Sequence, residues 1–172
     1  MRPVDAIRTQ LDDRQALIGT LYGEAAGESL DGQLAVAWAI RNRVLVDLNH
    51  DGKPNNWWGN SIHDVCMRNA DPTGKYGQFD CWWLFGTGNT TRLYAFADLL
   101  LDGGPFDPAT AALVKRLGWI ADGVISGAAP DLSNKATHYL TTALLSTAPP
   151  AWARGLRPCA IVDHHSFFNN VP

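Results

Sequence analysis

The sequence lacks any apolar run long enough to cross a membrane. A membrane-spanning helix needs about 20 consecutive apolar residues, and no segment of this 172-residue chain approaches that length. Residues 1–8 also lack the apolar centre of a secretory signal peptide. We therefore expect a protein that is synthesised in the cytoplasm without a signal peptide and that does not insert into a membrane.

Clusters of basic residues are absent as well. The chain has 14 lysine and arginine residues and 17 aspartate and glutamate residues, so its formal net charge is -3. Proteins that bind nucleic acid usually carry a basic patch or a run of lysine and arginine. We therefore expect no nucleic-acid partner.

The cysteines form no recognisable pattern. Cys66, Cys81 and Cys159 are odd in number and irregularly spaced, so they indicate neither a disulfide framework nor a zinc site. The five histidines include no His-Glu-x-x-His pair. These residues predict no metal and no cofactor.

One loop has a partial calcium motif. Asp47, Asn49 and Asp51, followed by Gly52, match the opening of an EF-hand loop. The twelfth position of that register is Trp58, where the motif requires a bidentate glutamate. We favour a polar turn in which these side chains accept backbone hydrogen bonds, with calcium binding as the alternative.

Length and composition indicate one folded domain. Hydrophobic residues make up 46% of the chain and charged residues 18%, the proportions of a globular protein. A chain of 172 residues is long enough to bury a core. We therefore predict a single domain over residues 1–172.

Helix signals dominate most of the chain. Asp12 or Asp13 can begin a helix that stops at Gly27, Ser29 can begin the next, and Asp107 before a proline can begin a later one. Apolar residues at helical spacing predict a core that includes Leu17, Leu21, Leu34, Ala37, Trp38, Val44, Leu93, Leu100, Leu117 and Ile120.

The helix after Ser29 has an apolar stripe that also includes Leu30 and Leu45. This pattern predicts that Arg41 and Arg43 point away from the core. After Pro130 the pattern changes, because residues 137–140 and 160–168 are β-like and could pair as a small sheet. We therefore predict an α+β fold, mostly helical, with a short C-terminal β element that forms one wall of a cleft.

Two glutamates stand four residues apart where the first two predicted helices meet. Glu24 comes just before the stop at Gly27, and Glu28 just before the cap at Ser29. The helix dipoles then act in opposite directions, favouring the protonated form of Glu24 and the ionised form of Glu28. A pair of acids in different protonation states is typical of glycosidases. The alternative is two solvated charges on helix faces.

The window around these acids has a known counterpart. Residues 21–44 read LYGEAAGESLDGQLAVAWAIRNRV, which resembles the signature of the SleB-type cell wall hydrolases, a family of peptidoglycan-cleaving lytic enzymes. Further segments follow in the same order over about residues 17–168. Residues 78–82 resemble the family's Gln-Phe-Ser-x-Trp, residues 136–139 its Ala-Thr-His-Phe-Tyr, and residues 165–168 its His-x-Phe-Phe.

The resemblance implies a lysozyme-like core and a site for the glycan strands of peptidoglycan. It makes Glu24 the catalytic general acid and base. The family's arginine between the two acids is Ala26 here, which removes a charge that could contact substrate or tune the second acid. The implied substrate-binding residues are Glu28, Gln78, Thr137, His138 and Tyr139.

The expected reaction is that of a lytic transglycosylase, which cleaves the β-1,4 bond between N-acetylmuramic acid and N-acetylglucosamine and leaves a 1,6-anhydro end. Such an enzyme needs one glutamate, whereas a lysozyme-type muramidase needs a second carboxylate. Asp80 and Asp163 lie in the matched segments, but nothing in the sequence singles them out. We expect a monomer that acts on the cell wall, in the manner of a bacteriophage endolysin released through a membrane lesion. The alternatives are a component of the phage particle and a bacterial enzyme that is exported by another route.

Two other classes of function fit part of the pattern. Cys81 precedes His138 and His164, which is the order found in cysteine amidases and endopeptidases that cut peptidoglycan stems. Bulky residues follow this cysteine, where an attacking sulfur needs room. A glycan-binding module without catalysis would use tryptophan rings to stack on sugars and the glutamates only to bind hydroxyl groups.

Overall fold

The computed structural model describes residues 2–48, 50–54, 57–68, 78–83 and 88–171. These residues form seven α-helices and one small sheet, which confirms the mostly helical α+β fold. None of the described helices is both long and apolar enough to span a membrane. The helices are α1 (Val4–Gln10), α2 (Asp13–Ala25), α3 (Leu30–Leu45), α4 (Ile62–Met67), α5 (Gly88–Asp102), α6 (Pro108–Ser126) and α7 (Thr142–Thr147), with 3-10 turns at Asp80–Trp82 and Ala151–Ala153.

The long helices α2, α3 and α6 begin where the sequence predicts. Asp12 accepts a hydrogen bond from the Gln15 backbone nitrogen at 2.7 Å, and the Gln15 side chain accepts one in return, which completes a capping box before α2. Ser29 caps α3, and Asp107 caps α6. The short helices α1, α4 and α7 have only six or seven residues each, too few for a periodic pattern to reveal.

Helix α2 lies at the centre of the core, in contact with α3, α4, α5 and α6. Of the predicted core residues, Val44 is half-buried and the others are buried. Leu30 and Leu45 were predicted to lie in the buried stripe, but 41% and 49% of their surfaces are exposed. They stand at the two ends of α3, outside the fully buried stretch between Gly32 and Ile40.

The prediction that Arg43 points away from the core is wrong, because its side chain is buried. A periodic pattern of apolar residues predicts charged residues at the surface, because burial of an unpaired charge costs free energy. Here the guanidinium meets acceptors that only the tertiary structure supplies. Its neighbour Arg41 is half-buried and lies over the ring of Trp38.

The predicted β segments pair as a three-stranded antiparallel sheet. Its strands are β1 (His138–Thr141), β2 (Ala160–Val162) and β3 (His165–Phe168), with β3 in the middle. Every residue of β3 is buried, because strands pair on both sides and Phe167 packs into the helical core. This packing sets β1 beside the end of α2.

The turn Asp80–Trp82 packs directly against α2. Trp82 is fully buried, and its indole nitrogen donates to Thr20 Oγ1 at 2.9 Å. Two glycines make the approach possible: a Cβ on Gly19 would lie 2.8 Å from the Trp82 ring, and one on Gly23 would lie 2.7 Å from the Cβ of Cys81. Because Gly19 and Gly23 have no side chains, this face of α2 lets the turn pack directly against the last residues of the helix.

We expect Gly23→Ala to lower the free energy of unfolding by about 1–3 kcal/mol, because an added methyl group would overlap Cys81. Thermal unfolding monitored by circular dichroism measures the effect. The matched control is Gly27→Ala, since nothing lies within 4 Å of a Cβ at that position. Equal midpoints for the two variants would contradict the close packing of the turn against α2.

Candidate active site

Glu24 lies in the last turn of α2, half-buried between the turn Asp80–Trp82 and β1. The backbone nitrogen of Cys81 donates to Glu24 Oε1 at 3.4 Å, and the hydroxyl of Tyr139 donates to Oε2 at 3.4 Å. Both hydrogen bonds are long. The carboxyl group is therefore oriented by two neighbours without being held tightly by either.

Glu24 lines two cavities. The first has a volume of about 290 Å³, and the second about 220 Å³. A polymer that occupied both cavities would pass the Glu24 carboxyl. The first cavity is also lined by Arg43, Gln78, Phe79, Asp80 and Tyr139, and the second by Tyr22, Gly23, Ala26, Gly27, Arg92 and Leu93.

The pKa of Glu24 is raised above the ordinary value of a glutamate. Burial is the largest cause, because it disfavours the charged form, and the negative charge of Asp80 adds to it. Hydrogen bonds from Cys81 and Tyr139 act in the opposite direction. The direction agrees with the expectation from the sequence, although burial rather than the helix dipole is the main reason.

Arg43 is the functional candidate that the sequence prediction missed. Its Nε donates to the carbonyl oxygen of Thr137 at 2.5 Å, and its Nη1 donates to Gln78 Oε1 at 2.8 Å. It lines the larger of the two cavities at Glu24. Burial lowers the pKa of the guanidinium. Its presence in the matched window of residues 21–44 was the one signal that could have revealed it.

The Arg43 contact orients the amide of Gln78. An arginine can only donate hydrogen bonds, so the amide oxygen of Gln78 must face the guanidinium. The amide nitrogen is then the group of Gln78 that remains for other partners. Gln78 also lines the larger cavity at Glu24, so it can present a donor to a bound molecule there.

Thr137 and His138 lie to one side of the Glu24 cavities. Thr137 Oγ1 is 3.0 Å from His138 Nδ1. The His138 ring lies between those of Trp58 and Trp152, with centroid distances of 5.7 and 5.0 Å. Burial and the charge of Arg43 lower the pKa of His138 to about 4, so its imidazole is neutral at neutral pH.

Glu28 faces a different part of the molecule from Glu24. Its carboxylate accepts a hydrogen bond from the backbone nitrogen of His164 at 3.4 Å and lies 3.1 Å from Nδ1 of the same residue. Asp163 accepts one from the backbone nitrogen of Ser29 at 2.8 Å. These contacts attach the turn between β2 and β3 to the junction of α2 and α3. Glu28 lines neither of the two cavities at Glu24.

The structure therefore brings together three of the six predicted site residues, Glu24, Gln78 and Tyr139, with Arg43 as an addition. A search of known families gives a match to the family described as Cell Wall Hydrolase, over residues 27–168. The chain belongs to this cell wall hydrolase family.

Family membership confirms the resemblance to the SleB type and makes peptidoglycan the substrate class of this cell wall hydrolase. The matched region begins three residues after Glu24 and contains the other predicted site residues. No curated protein and no solved structure matches the chain. The lysozyme-like core stays a prediction.

The surroundings of Cys81 in this cell wall hydrolase do not suit a nucleophile. Its thiol is hydrogen-bonded to the Glu24 carboxyl, and burial together with that charge raises its pKa well above the ordinary value. A catalytic cysteine needs a lowered pKa and a nearby imidazole. His138 instead packs between tryptophans, and His164 contacts Glu28. The geometry argues against a cysteine amidase or endopeptidase.

The loop with the partial calcium motif forms hydrogen bonds of its own. Asp47 accepts from the backbone nitrogens of Asp51 at 3.2 Å and of Gly52 at 2.8 Å, as expected for a polar turn. Asn49 lies outside the described residues. Among the residues that are described, no three histidine, cysteine or acidic side chains are grouped to hold a metal ion. Calcium binding by this loop stays the untested alternative.

We expect Arg43→Lys to reduce the activity of this hydrolase on peptidoglycan about tenfold. A lysine ammonium keeps the charge, but it lacks the planar fork that reaches both Thr137 and Gln78, and each lost bond to a charged group costs about 1.5–3 kcal/mol. The control is Arg41→Lys, on the same helix. If both variants had the wild-type rate of muropeptide release, the orienting role of Arg43 would be wrong.

Proposed function

We propose that this cell wall hydrolase cleaves the β-1,4 bond between N-acetylmuramic acid and N-acetylglucosamine, with Glu24 as general acid and base. The observation that carries the proposal is a half-buried carboxyl of raised pKa that lines two cavities. Glycan cleavage needs room for a sugar on each side of the bond. It also needs an acid that keeps its proton near neutral pH and can reach the oxygen between the sugars.

We propose the reaction of a lytic transglycosylase. The Glu24 carboxyl transfers its proton to the glycosidic oxygen while the bond from that oxygen to C1 of the muramic acid breaks. Positive charge develops at C1, and the 6-hydroxyl oxygen of the same sugar forms a bond to it. The Glu24 carboxylate takes the hydroxyl proton. The carboxyl is thereby restored, and the reaction consumes no water.

The engagement of Glu28 with His164 argues against a muramidase that uses Glu28 as its second carboxylate. A muramidase needs a second carboxylate across the scissile bond, and Glu28 is instead bound to His164 on another face. A transglycosylase needs polar groups that hold the substrate while its own hydroxyl attacks. Gln78 suits this task, because its amide nitrogen can donate to the carbonyl of the N-acetyl group. The Tyr139 hydroxyl can hold the Glu24 carboxyl in line with the leaving oxygen.

Thr137 and His138 have a different role in this proposal. His138 forms an aromatic row with Trp58 and Trp152. Aromatic rings can stack on the apolar faces of sugars. We assign this row to sugars further along the strand, with Thr137 fixing the imidazole. Action at the cell wall follows from the family, whereas a bacteriophage origin and a monomeric state stay predictions.

The rate of Glu24→Gln tests the proposed function. Glutamine keeps the size of the side chain and one acceptor oxygen but carries no transferable proton. We expect at least about a hundredfold loss of soluble muropeptide release from purified sacculi, the usual scale for removal of a general acid, with an unchanged melting temperature. Binding to sacculi should persist. Wild-type protein that binds sacculi but releases nothing would instead identify a glycan-binding module.

The aromatic row gives a second test. Trp152→Ala should weaken binding to sacculi about fivefold, since an aromatic contact contributes about 1 kcal/mol. The matched control is Trp119→Ala, because Trp119 is an exposed tryptophan on α6 that borders neither cavity at Glu24. A co-sedimentation assay measures the binding, and melting temperatures report on folding. Equal affinities of the two folded variants for sacculi would contradict the assignment of the aromatic row to sugar binding.

A further inference from the structure

Asp80 is a second carboxylate in the cavity beside Glu24. It begins the turn Asp80–Trp82, and it lines the larger cavity together with Glu24, Arg43 and Tyr139. Its side chain is exposed. No described residue forms a hydrogen bond or an ion pair with its carboxylate. The charge of Asp80 is therefore available to a molecule bound in this cavity.

The turn holds Asp80 in place although its side chain is free. The buried Trp82 indole donates to Thr20, and the Tyr94 hydroxyl donates to the carbonyl oxygen of Trp82 at 2.7 Å. The close approach of Cys81 to Gly23 fixes the turn at its centre. The backbone of Asp80 therefore keeps its position relative to Glu24, as the support of a group that acts on a substrate must.

The two other acids near the junction of α2 and α3 have partners elsewhere. Glu28 contacts His164, and Asp163 accepts from the backbone of Ser29. Within the described residues, Asp80 is thus the second carboxylate that faces the cavity of Glu24. Sequence comparison alone does not predict it, since the resembling family segment has serine at the position of Asp80.

We propose that Asp80 is a catalytic residue for glycan cleavage, whose carboxylate faces the sugar ring and stabilises the positive charge that develops at C1. This proposal rests on the proposed function of Glu24. A negative charge at the point where positive charge develops lowers the barrier. Asp80 is exposed in the free protein, and a sugar bound in the cavity would exclude water from its carboxylate. Asp80 acts without forming a bond to the sugar, so the proton transfers remain those of Glu24.

A second consequence concerns the proton of Glu24. Like charges disfavour each other's ionised form, so Asp80 helps Glu24 to remain protonated. Among the described residues, the other titratable or charged groups around Glu24 are Arg43 from α3, Cys66 from α4, Cys81 from the turn and Tyr139 from β1, with Arg92 of α5 along the second cavity. When Asp80 loses its charge, the pKa of Glu24 falls, and activity is lost at a lower pH.

The test compares Asp80→Asn with wild type on purified sacculi. Asparagine keeps the shape and removes the charge. We expect kcat to fall at least about tenfold with little change in KM, and the basic limb of the pH–rate profile to move to lower pH. Asp31→Asn is the matched control, because Asp31 is an exposed acid in the first turn of α3 that borders neither cavity.

An unchanged kcat and pH profile would overturn the proposal for Asp80. A fall in kcat with an unmoved basic limb and a lowered melting temperature would also overturn it, because it would show a structural role. Glu24→Gln in the same assay separates the two proposals. If Glu24→Gln were fully active, the proposed function itself would fail. If only Asp80→Asn behaved like wild type, the function of Glu24 would stand and the role of Asp80 would not.

Discussion

The close packing of the turn Asp80–Trp82 against α2 sets the positions of the groups around Glu24. Its basis is a helix face without side chains, where Gly19 lies under the Trp82 ring and Gly23 under Cys81. The same contact covers the Glu24 carboxyl, and burial is the main reason for its raised pKa. A packing contact in the core thereby shifts Glu24 towards the protonated form, which is the form that a general acid needs.

Arg43 links three segments of the chain near the site. It joins α3 to the backbone of Thr137 beside β1 and to the side chain of Gln78. Its positive charge and the negative charge of Asp80 border the same cavity as Glu24. A nearby positive charge favours the ionised form of a carboxyl and a nearby negative charge favours the protonated form, so Arg43 and Asp80 act on Glu24 in opposite directions.

Local signals predict the framework of this protein well, and contacts between distant segments are harder to predict. The caps at Asp12, Ser29 and Asp107 fix the helix starts from a few adjacent residues. The order of the matched segments led to Glu24, Gln78 and Tyr139, which line one cavity. The burial of Arg43 depends on acceptors 35 and 94 residues away, which no periodic pattern contains. The separation of Glu28 from Glu24 likewise depends on the turn at His164.

Mass spectrometry of the products released from purified peptidoglycan tests the central claim most directly, because it identifies the bond that is cleaved. The account predicts glycan fragments that end in 1,6-anhydromuramic acid, each lighter by one water than the hydrolytic product. Only reducing muramic acid ends would contradict transglycosylation and would indicate a muramidase. Released stem peptides with intact glycan strands would contradict the assignment of Glu24 altogether.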